Sequence, residues 1–167
     1  MAEPAAAFRA AILTISSSRA GGSGDQDRGG DELAAFATGL GAEVAARELI
    51  GDRRETIADR LTYLSDELGC DVVLTTGGTG FSPDDVTPEA TRDVADRDAP
   101  GIAEAMRLAS REHTPNWMLS RNVAVVRGTT LIVNFPGSPK SIAEAGEAVA
   151  AALPHALRLL RGGSGGH

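Results

Sequence analysis

Three times in its first half the chain passes from an apolar, β-compatible run to a segment with helical spacing or a glycine turn, and this alternation restricts the fold more than any other feature. Phe8 to Ser16 is the first run. Leu33, Phe36, Ala37 and Leu40 then fall at i, i+3, i+4 and i+7, marking one helical face, with Gly41 placed to end the helix. A second strand is expected over Glu43 to Ile50. Ile57, Leu61, Leu64 and Leu68 repeat at helical spacing before the continuous run Val72 to Leu74. Such crossovers are right-handed and bring successive strands into parallel register, so the pattern predicts an α/β fold: a three-layer, mostly parallel sheet with helices on both faces. Further on, Thr87 is expected to cap a helix with Pro88 at its first position, and Ile102 to Glu112 reads as another helix. Val123 to Val126 and Leu131 to Val133 read as short strands joined by a turn at Arg127 to Thr130. A last helix from about Ser141 carries Ile142, Ala145, Val149 and Leu153 on one face and meets Pro154, which should kink or restart it. Residues 1–161 read as one domain, and Gly162 to His167 as a flexible tail.

The stretch from Thr75 to Thr91, TTGGTGFSPDDVTPEAT, follows the third run and says most about chemistry. Gly77, Gly78 and Gly80 let main-chain amides approach a ligand without Cβ atoms in the way, and clustered amide donors make a concave anion site. Asp84 and Asp85 follow closely. Carboxylates so near a phosphate repel it unless a divalent cation lies between, so the string points to phosphate and magnesium together. The Gly-Lys-Ser/Thr ending of a Walker loop is missing, which sets aside the common P-loop NTPases. Glycine turns followed by Pro-Asp-Asp are also ordinary loop chemistry, and a lone GGTG would be read that way.

Composition narrows the partners. With 42% hydrophobic residues in 167, the chain suits one compact core, and a net charge of −7 argues against a general nucleic-acid surface or an anionic membrane as partner. Anionic ligands must then be held locally. The single cysteine, Cys70, excludes an internal disulfide and reads as a core thiol. His113, His155 and His167 lack metal-ligand spacing. No run reaches membrane-spanning length and the start lacks a basic-then-apolar leader, so the expected compartment is the cytoplasm.

In a parallel sheet, ligands gather at the carboxyl ends of the strands. Three exits there carry polar or glycine-rich sequence: Ser17, Ser18 and Arg19 within a loop expected to run to Gly30, then Asp52, then the glycine loop. A fourth contributor is the turn Asn134-Phe135-Pro136-Gly137-Ser138-Pro139-Lys140-Ser141 leading into the last helix. Its amides, hydroxyls and lysine suit an anion. Lys140 is the only lysine in an otherwise arginine-based set of cations, a hint that a compact ammonium is wanted there.

TTGGTG at Thr75 to Gly80, DVTPEAT at Asp85 to Thr91, LSR at Leu119 to Arg121 and the turn from Asn134 to Lys140 together resemble the molybdenum-cofactor biosynthesis family of the MogA/MoaB type, which includes the G domains of a plant cofactor-synthesis protein and of gephyrin. The likeness runs from Phe8 to Leu160 and takes in Ser17, Arg19, Asp27, Asp52 and Pro100-Gly101. It implies that family's fold and a molybdopterin adenylyltransferase, which joins AMP from ATP to the terminal phosphate of molybdopterin with release of pyrophosphate. Magnesium, a homotrimer and contacts with other proteins of the cofactor pathway are implied as well. On this likeness Asp52 and Asp85 are the catalytic, metal-binding pair, with Asp84 the second choice to Asp85. Thr76, Gly77, Gly78, Thr79 and Gly80 would hold nucleotide phosphates. Ser17, Arg19, Pro136, Gly137, Ser138, Lys140 and Ser141 would receive the pterin and its phosphate, and these last two sets of roles are interchangeable. The chain departs from the pattern at Ser18, where the family often has aspartate, and at Asp84, where it often has a basic residue. Asp84-Asp85 keeps open a nucleotide pyrophosphate hydrolase of the competence/damage-inducible type, and Ser18 keeps open a molybdopterin-binding module without turnover.

Overall fold

The computed structural model describes residues 7–22 and 26–163. Its strands are β1 Phe8–Ile15, β2 Ala42–Ile50, β3 Val72–Thr76, β4 Arg97–Asp98, β5 Ala124–Arg127 and β6 Thr130–Phe135. The helices are α1 Ser17–Ala20, α2 Arg28–Gly39, α3 Arg54–Thr62, α4 Thr87–Asp93, α5 Pro100–Ser110, α6 Pro139–Val149 and α7 Leu153–Leu160. One sheet runs in the order β2-β1-β3-β6-β5-β4, parallel from β2 to β6, with β5 antiparallel to both of its neighbours.

Strand periodicity divides the core into two layers of contact. Ala10, Ile12, Val72, Leu74, Leu131 and Val133 face one way, onto Leu33 and Ala37 of α2, Met106 of α5 and the apolar stripes of α6 and α7. The alternate residues Ala11, Leu13, Val73, Val125 and Ile132 face Ile57 and Leu61 of α3, Leu64, and Ala90 of α4. The chain steps from β1 outward to β2 on one side, then back past β1 to β3 on the other. Because both crossovers keep the same hand, the reversal puts α2 and α3 on opposite faces and leaves a crevice between β1 and β3 at their carboxyl ends.

Several local expectations hold. Gly41 takes φ +82 just past α2, a conformation that favours glycine, and the last helical run restarts at Pro154 to give α6 and α7. Cys70 is buried in the core, and burial pushes its thiol above the ordinary value. Others need correction. The long first loop was expected to reach Gly30, but α1 forms directly after β1, capped by Ser16, and α2 begins at Arg28. Residues 23–25 of that loop, the start before residue 7 and the tail beyond residue 163 lie outside the described residues. Gly29 and Gly30 are buried helical residues rather than loop: a Cβ on Gly30 would collide with the Asp27 carboxylate that caps the helix, so glycine there leaves room for the cap. The helix expected from Ile57 through Leu68 changes to a π-helical turn at Tyr63–Glu67. β4 had no signal in the sequence, being a two-residue edge strand too short to show a period.

Gly146 in α6 meets α2 without clearance: a Cβ there would lie 2.8 Å from two carbons of the Phe36 ring, which packs on Phe135 at 5.4 Å between centroids. Gly146→Val should therefore destabilise the fold by about 1–3 kcal/mol through overpacking, read as a lower urea midpoint with an unchanged slope.

Candidate functional site

Parallel pairing sets Thr14 of β1 beside Thr76 of β3, so both chains leave the sheet together. Gly77 and Gly78 turn away with φ of +97 and +73. A Cβ on Gly77 would collide with the Ile15 carbonyl, and one on Gly78 with the Thr87 hydroxyl, so glycine is required here by sterics as well as by backbone angle. Thr87 does not cap its own helix as expected. Its buried hydroxyl donates to the Gly77 carbonyl at 2.9 Å, and its main-chain N–H donates to the Gly78 carbonyl at 3.1 Å. With those carbonyls tied back to α4, the N–H groups of Gly78, Thr79 and Gly80 donate to no protein acceptor among the described residues. That is the condition under which a glycine turn receives an anion.

The far end of this loop is a compact turn. Asp85 donates its N–H to the Ser82 carbonyl at 2.9 Å, and its carboxylate accepts from the Ser82 N–H at 3.0 Å. Asp85 is half-buried beside Gly80, where a Cβ would stand 2.8 Å from the Asp85 carboxylate, whereas Asp84 is exposed. Geometry thus separates two aspartates that the sequence left adjacent. Arg121, just before β5, spans both ends of the turn. Its main-chain N–H reaches the Thr79 carbonyl at 2.8 Å, Nε the Gly80 carbonyl at 2.8 Å and Nη2 the Asp85 carbonyl at 2.7 Å. Its remaining capacity goes to the Glu89 carboxylate of α4 at 2.8–3.0 Å.

Across the crevice, β2 delivers Asp52. Ser17 Oγ donates to its carboxylate at 2.5 Å and accepts the Asp52 N–H at 3.1 Å, a reciprocal pair that locks the β2 exit to α1. Arg19, half-buried on α1, has its Nε buried with no hydrogen-bond partner among the described residues. An arginine donor in that condition calls for an acceptor. Asp27 is committed elsewhere: it caps α2 through the Gly30 N–H at 3.0 Å, accepts from the Thr14 hydroxyl at 2.9 Å and pairs with Arg47.

The fourth exit is tied to the third by the Thr76 hydroxyl, which donates to the Pro136 carbonyl at 2.7 Å. Thr76 thus has its hydroxyl engaged and its main chain paired with Thr14 and Phe135, so it supports the loop from the end of β3. Ser138 caps α6, accepting the Ser141 N–H at 3.2 Å and sharing a 2.8 Å hydroxyl contact with Ser141. Gly137 and Lys140 are exposed, and Lys140 has no ion pair among the described residues. Asn134 and Phe135 do not belong to this turn as expected; they end β6 and are fully buried. The Asn134 amide donates to the Thr75 and Thr91 hydroxyls, both at 3.0 Å, bracing β3 and α4 from beneath the loop.

Beside this rim lie two cavities that the sequence did not reveal. One, of about 160 Å³, is lined by Arg107, Asn116, Trp117, Ser120, Pro136 and Ser141 among others. The second, about 430 Å³, shares Arg107, Ser120 and Asn122 with it and extends to Arg121. Neither is lined by Asp52, Asp85 or the glycines. Arg107 spends its Nη1 on the carbonyl and side chain of Asn122, at 2.8 and 2.7 Å. LSR, Pro100 and the Pro136 to Ser141 turn were the parts of this region that the sequence marked, and the roles of Arg107, Glu89 and Asn122 depend on contacts between distant segments.

Among the described residues no group of three or more histidine, cysteine or acidic side chains converges as a metal cage. The acidic donors at the rim are instead Asp52 and Asp85, one from each side of β1. One or two carboxylates, with water and substrate phosphates completing the shell, is the arrangement magnesium takes, so the residues present fit that ion.

The Arg121 guanidinium holds the Glu89 carboxyl below the usual glutamate range, chiefly by hydrogen bonding. A depressed folded-state value contributes stability that is complete above the unfolded-state value and lost as pH falls through the folded one. Glu89→Gln should thus melt at lower temperature than the parent near neutrality, and the two melting curves should converge in acid below the ordinary glutamate range.

Residues 11–155 match the family described as "Probable molybdopterin binding domain". The molybdopterin adenylyltransferase of Helicobacter pylori strain J99 is 45% identical over 115 residues, spanning 69% of this chain and 65% of that protein. The enzyme of the same name from Escherichia coli K12 is 45% identical over 126 residues, 68% of this chain and 65% of that protein. The match thus covers slightly under two thirds of the length of these relatives. Among solved structures, the molybdopterin biosynthesis enzyme MoaB of Thermus thermophilus is 48% identical, covers 93% of this chain and 97% of its own, and superposes with a TM-score of 0.86.

Proposed function

We propose a function from one established premise: the chain belongs to the family of molybdopterin-binding domains matched by residues 11–155. On this reading it is a molybdopterin adenylyltransferase, acting in molybdenum-cofactor biosynthesis with residues 1–161 as its single unit. The observation that carries the reading is the glycine loop itself. Three consecutive amides without acceptors among the described residues stand beside Asp85 and across a crevice from Asp52, in a chain whose 45%-identical relatives are named for this activity.

In the reaction, a terminal phosphate oxygen of molybdopterin attacks the α-phosphorus of ATP. A new P–O bond forms as the bond to the β-phosphate oxygen breaks, and pyrophosphate leaves with that electron pair. No protein nucleophile is needed, because such transfers run on positioning and charge neutralisation. The N–H groups of Gly78, Thr79 and Gly80 cradle nucleotide phosphates, with Thr76 and Gly77 holding the turn in place. Asp52, oriented by Ser17, and Asp85, oriented by the Ser82 N–H, hold magnesium, which offsets phosphate charge when bound. Arg19, with its unsatisfied Nε, receives an anionic oxygen, and Lys140 with the Pro136 to Ser141 turn receives the pterin side. Ser17 and Ser138 act largely by orienting their neighbours, since each is engaged in a protein hydrogen bond. A cytoplasmic homotrimer serving other proteins of the cofactor pathway completes the proposal. Among the described residues no helix is long and apolar enough to cross a membrane.

Pyrophosphate release with ATP, magnesium and molybdopterin tests the scheme. Asp85→Asn should lower turnover by at least about tenfold, the scale for disturbing a metal site, while leaving the circular dichroism spectrum unchanged. A folded Asp85→Asn protein at full rate would remove Asp85 from the metal site. Hydrolysis of ADP-ribose without pterin would instead favour the pyrophosphatase reading.

A further inference from the structure

We propose that Arg121 is a positioning residue for adenylyl transfer, setting the distance between the phosphate-binding amides and the Asp85 carboxylate; this rests on the function proposed above. The loop leaves the cradle at Gly80, makes an exposed excursion through Phe81 to Asp84 and returns at Asp85. Arg121 bonds the carbonyl on each side of that excursion, Gly80 at 2.8 Å and Asp85 at 2.7 Å, so its planar fork measures the gap. Its own N–H on the Thr79 carbonyl at 2.8 Å fixes the third point. Among the described residues, the other bonds across the excursion join Ser82 to Asp84 and Asp85, which shape the turn itself, and Thr87 to the Gly77 and Gly78 carbonyls, which close the loop at its base; Arg121 alone bonds the carbonyls of the residues that flank the excursion, Gly80 and Asp85.

Glu89 completes the device. It lies on α4, the helix whose first residue Thr87 ties back Gly77 and Gly78, and its bidentate pairing orients the guanidinium. Loop glycines, Asp85 and α4 are thus referred to one side chain anchored beside β5. Lysine cannot reproduce this, because a point charge on a flexible stem replaces a rigid fork. Arg121 acts through the carbonyls it holds and not through the reacting atoms, so its loss should displace Asp85 relative to the cradle. A misplacement on the order of 1 Å costs about a hundredfold in rate.

The test compares the parent with Arg121→Gln, Arg121→Lys and Glu89→Gln. Two readouts are used: turnover against magnesium concentration with ATP and molybdopterin, and amide hydrogen exchange along the chain. In both Arg121 variants, kcat should fall about 10- to 100-fold and the magnesium midpoint should rise. Exchange should quicken at Gly78 to Asp85 but not in β1, β3 or β6, and Glu89→Gln should lie between. The proposal is overturned if folded Arg121→Gln keeps the parent's magnesium midpoint and loop exchange. Exchange accelerating equally through loop and sheet would also overturn it, since Arg121 would then serve stability alone, as would full rescue by lysine. If the parent itself releases no pyrophosphate, the adenylyl-transfer reading falls, and loop exchange together with magnesium-dependent ATP binding still decides the role of Arg121.

Discussion

The reversal of chain direction around β1 is the constraint on which the rest depends. β1 is paired on both sides by parallel strands, β2 and β3, reached by crossovers of one hand but opposite sense. The helices that cover those crossovers therefore part, and the carboxyl ends of three strands border the opening between them. Residues far apart in sequence, Ser17 with Asp52 and Ile15 with Gly77, become neighbours because of that pairing.

Around this opening the protein spends its polar groups on fixing loops. Thr14, Thr76, Thr87 and Asn134 are buried, and each is hydrogen-bonded to a segment that shapes the rim. Buried polar groups are costly when unpaired, so a satisfied network of this kind favours one loop arrangement over its alternatives. The loop amides and the Arg19 Nε, which have no protein acceptor among the described residues, are then conspicuous. On the proposed function they would meet the acceptors that an anionic substrate brings. The net charge of −7 does not oppose that proposal, since the anion would be met by directed N–H groups rather than by a broad basic surface.

A division of labour follows among the acidic residues. Asp27, Glu89 and Asp71 are consumed by helix caps or arginine pairs. Asp52 and Asp85 are held by hydroxyl or amide donors instead, which orients a carboxylate without cancelling its charge. That difference makes them suited to a cation, and it is visible only in their partners.

The apolar runs and the helical stripes determined the layers, because burial demands period 2 in strands and about 3.6 in helices whatever the neighbours are. Phe8 to Ile15, Leu33 to Leu40 and Val72 to Leu74 carried that information locally, as did the glycines of a loop that only glycine can form. The sequence could not show that Gly29 and Gly30 lie inside a helix, that Thr87 serves the loop and not its own helix, or that Asn134 is a buried brace. The motif ranked Asp85 ahead of Asp84, but the sequence could not disclose the Ser82 amide that holds Asp85 or the hold of Arg121 on both ends of the turn. Each of these depends on which atoms of a distant segment stand within hydrogen-bonding or van der Waals reach. Only the pairing order of the strands decides that, because local preference fixes what an element is and tertiary packing fixes what it touches.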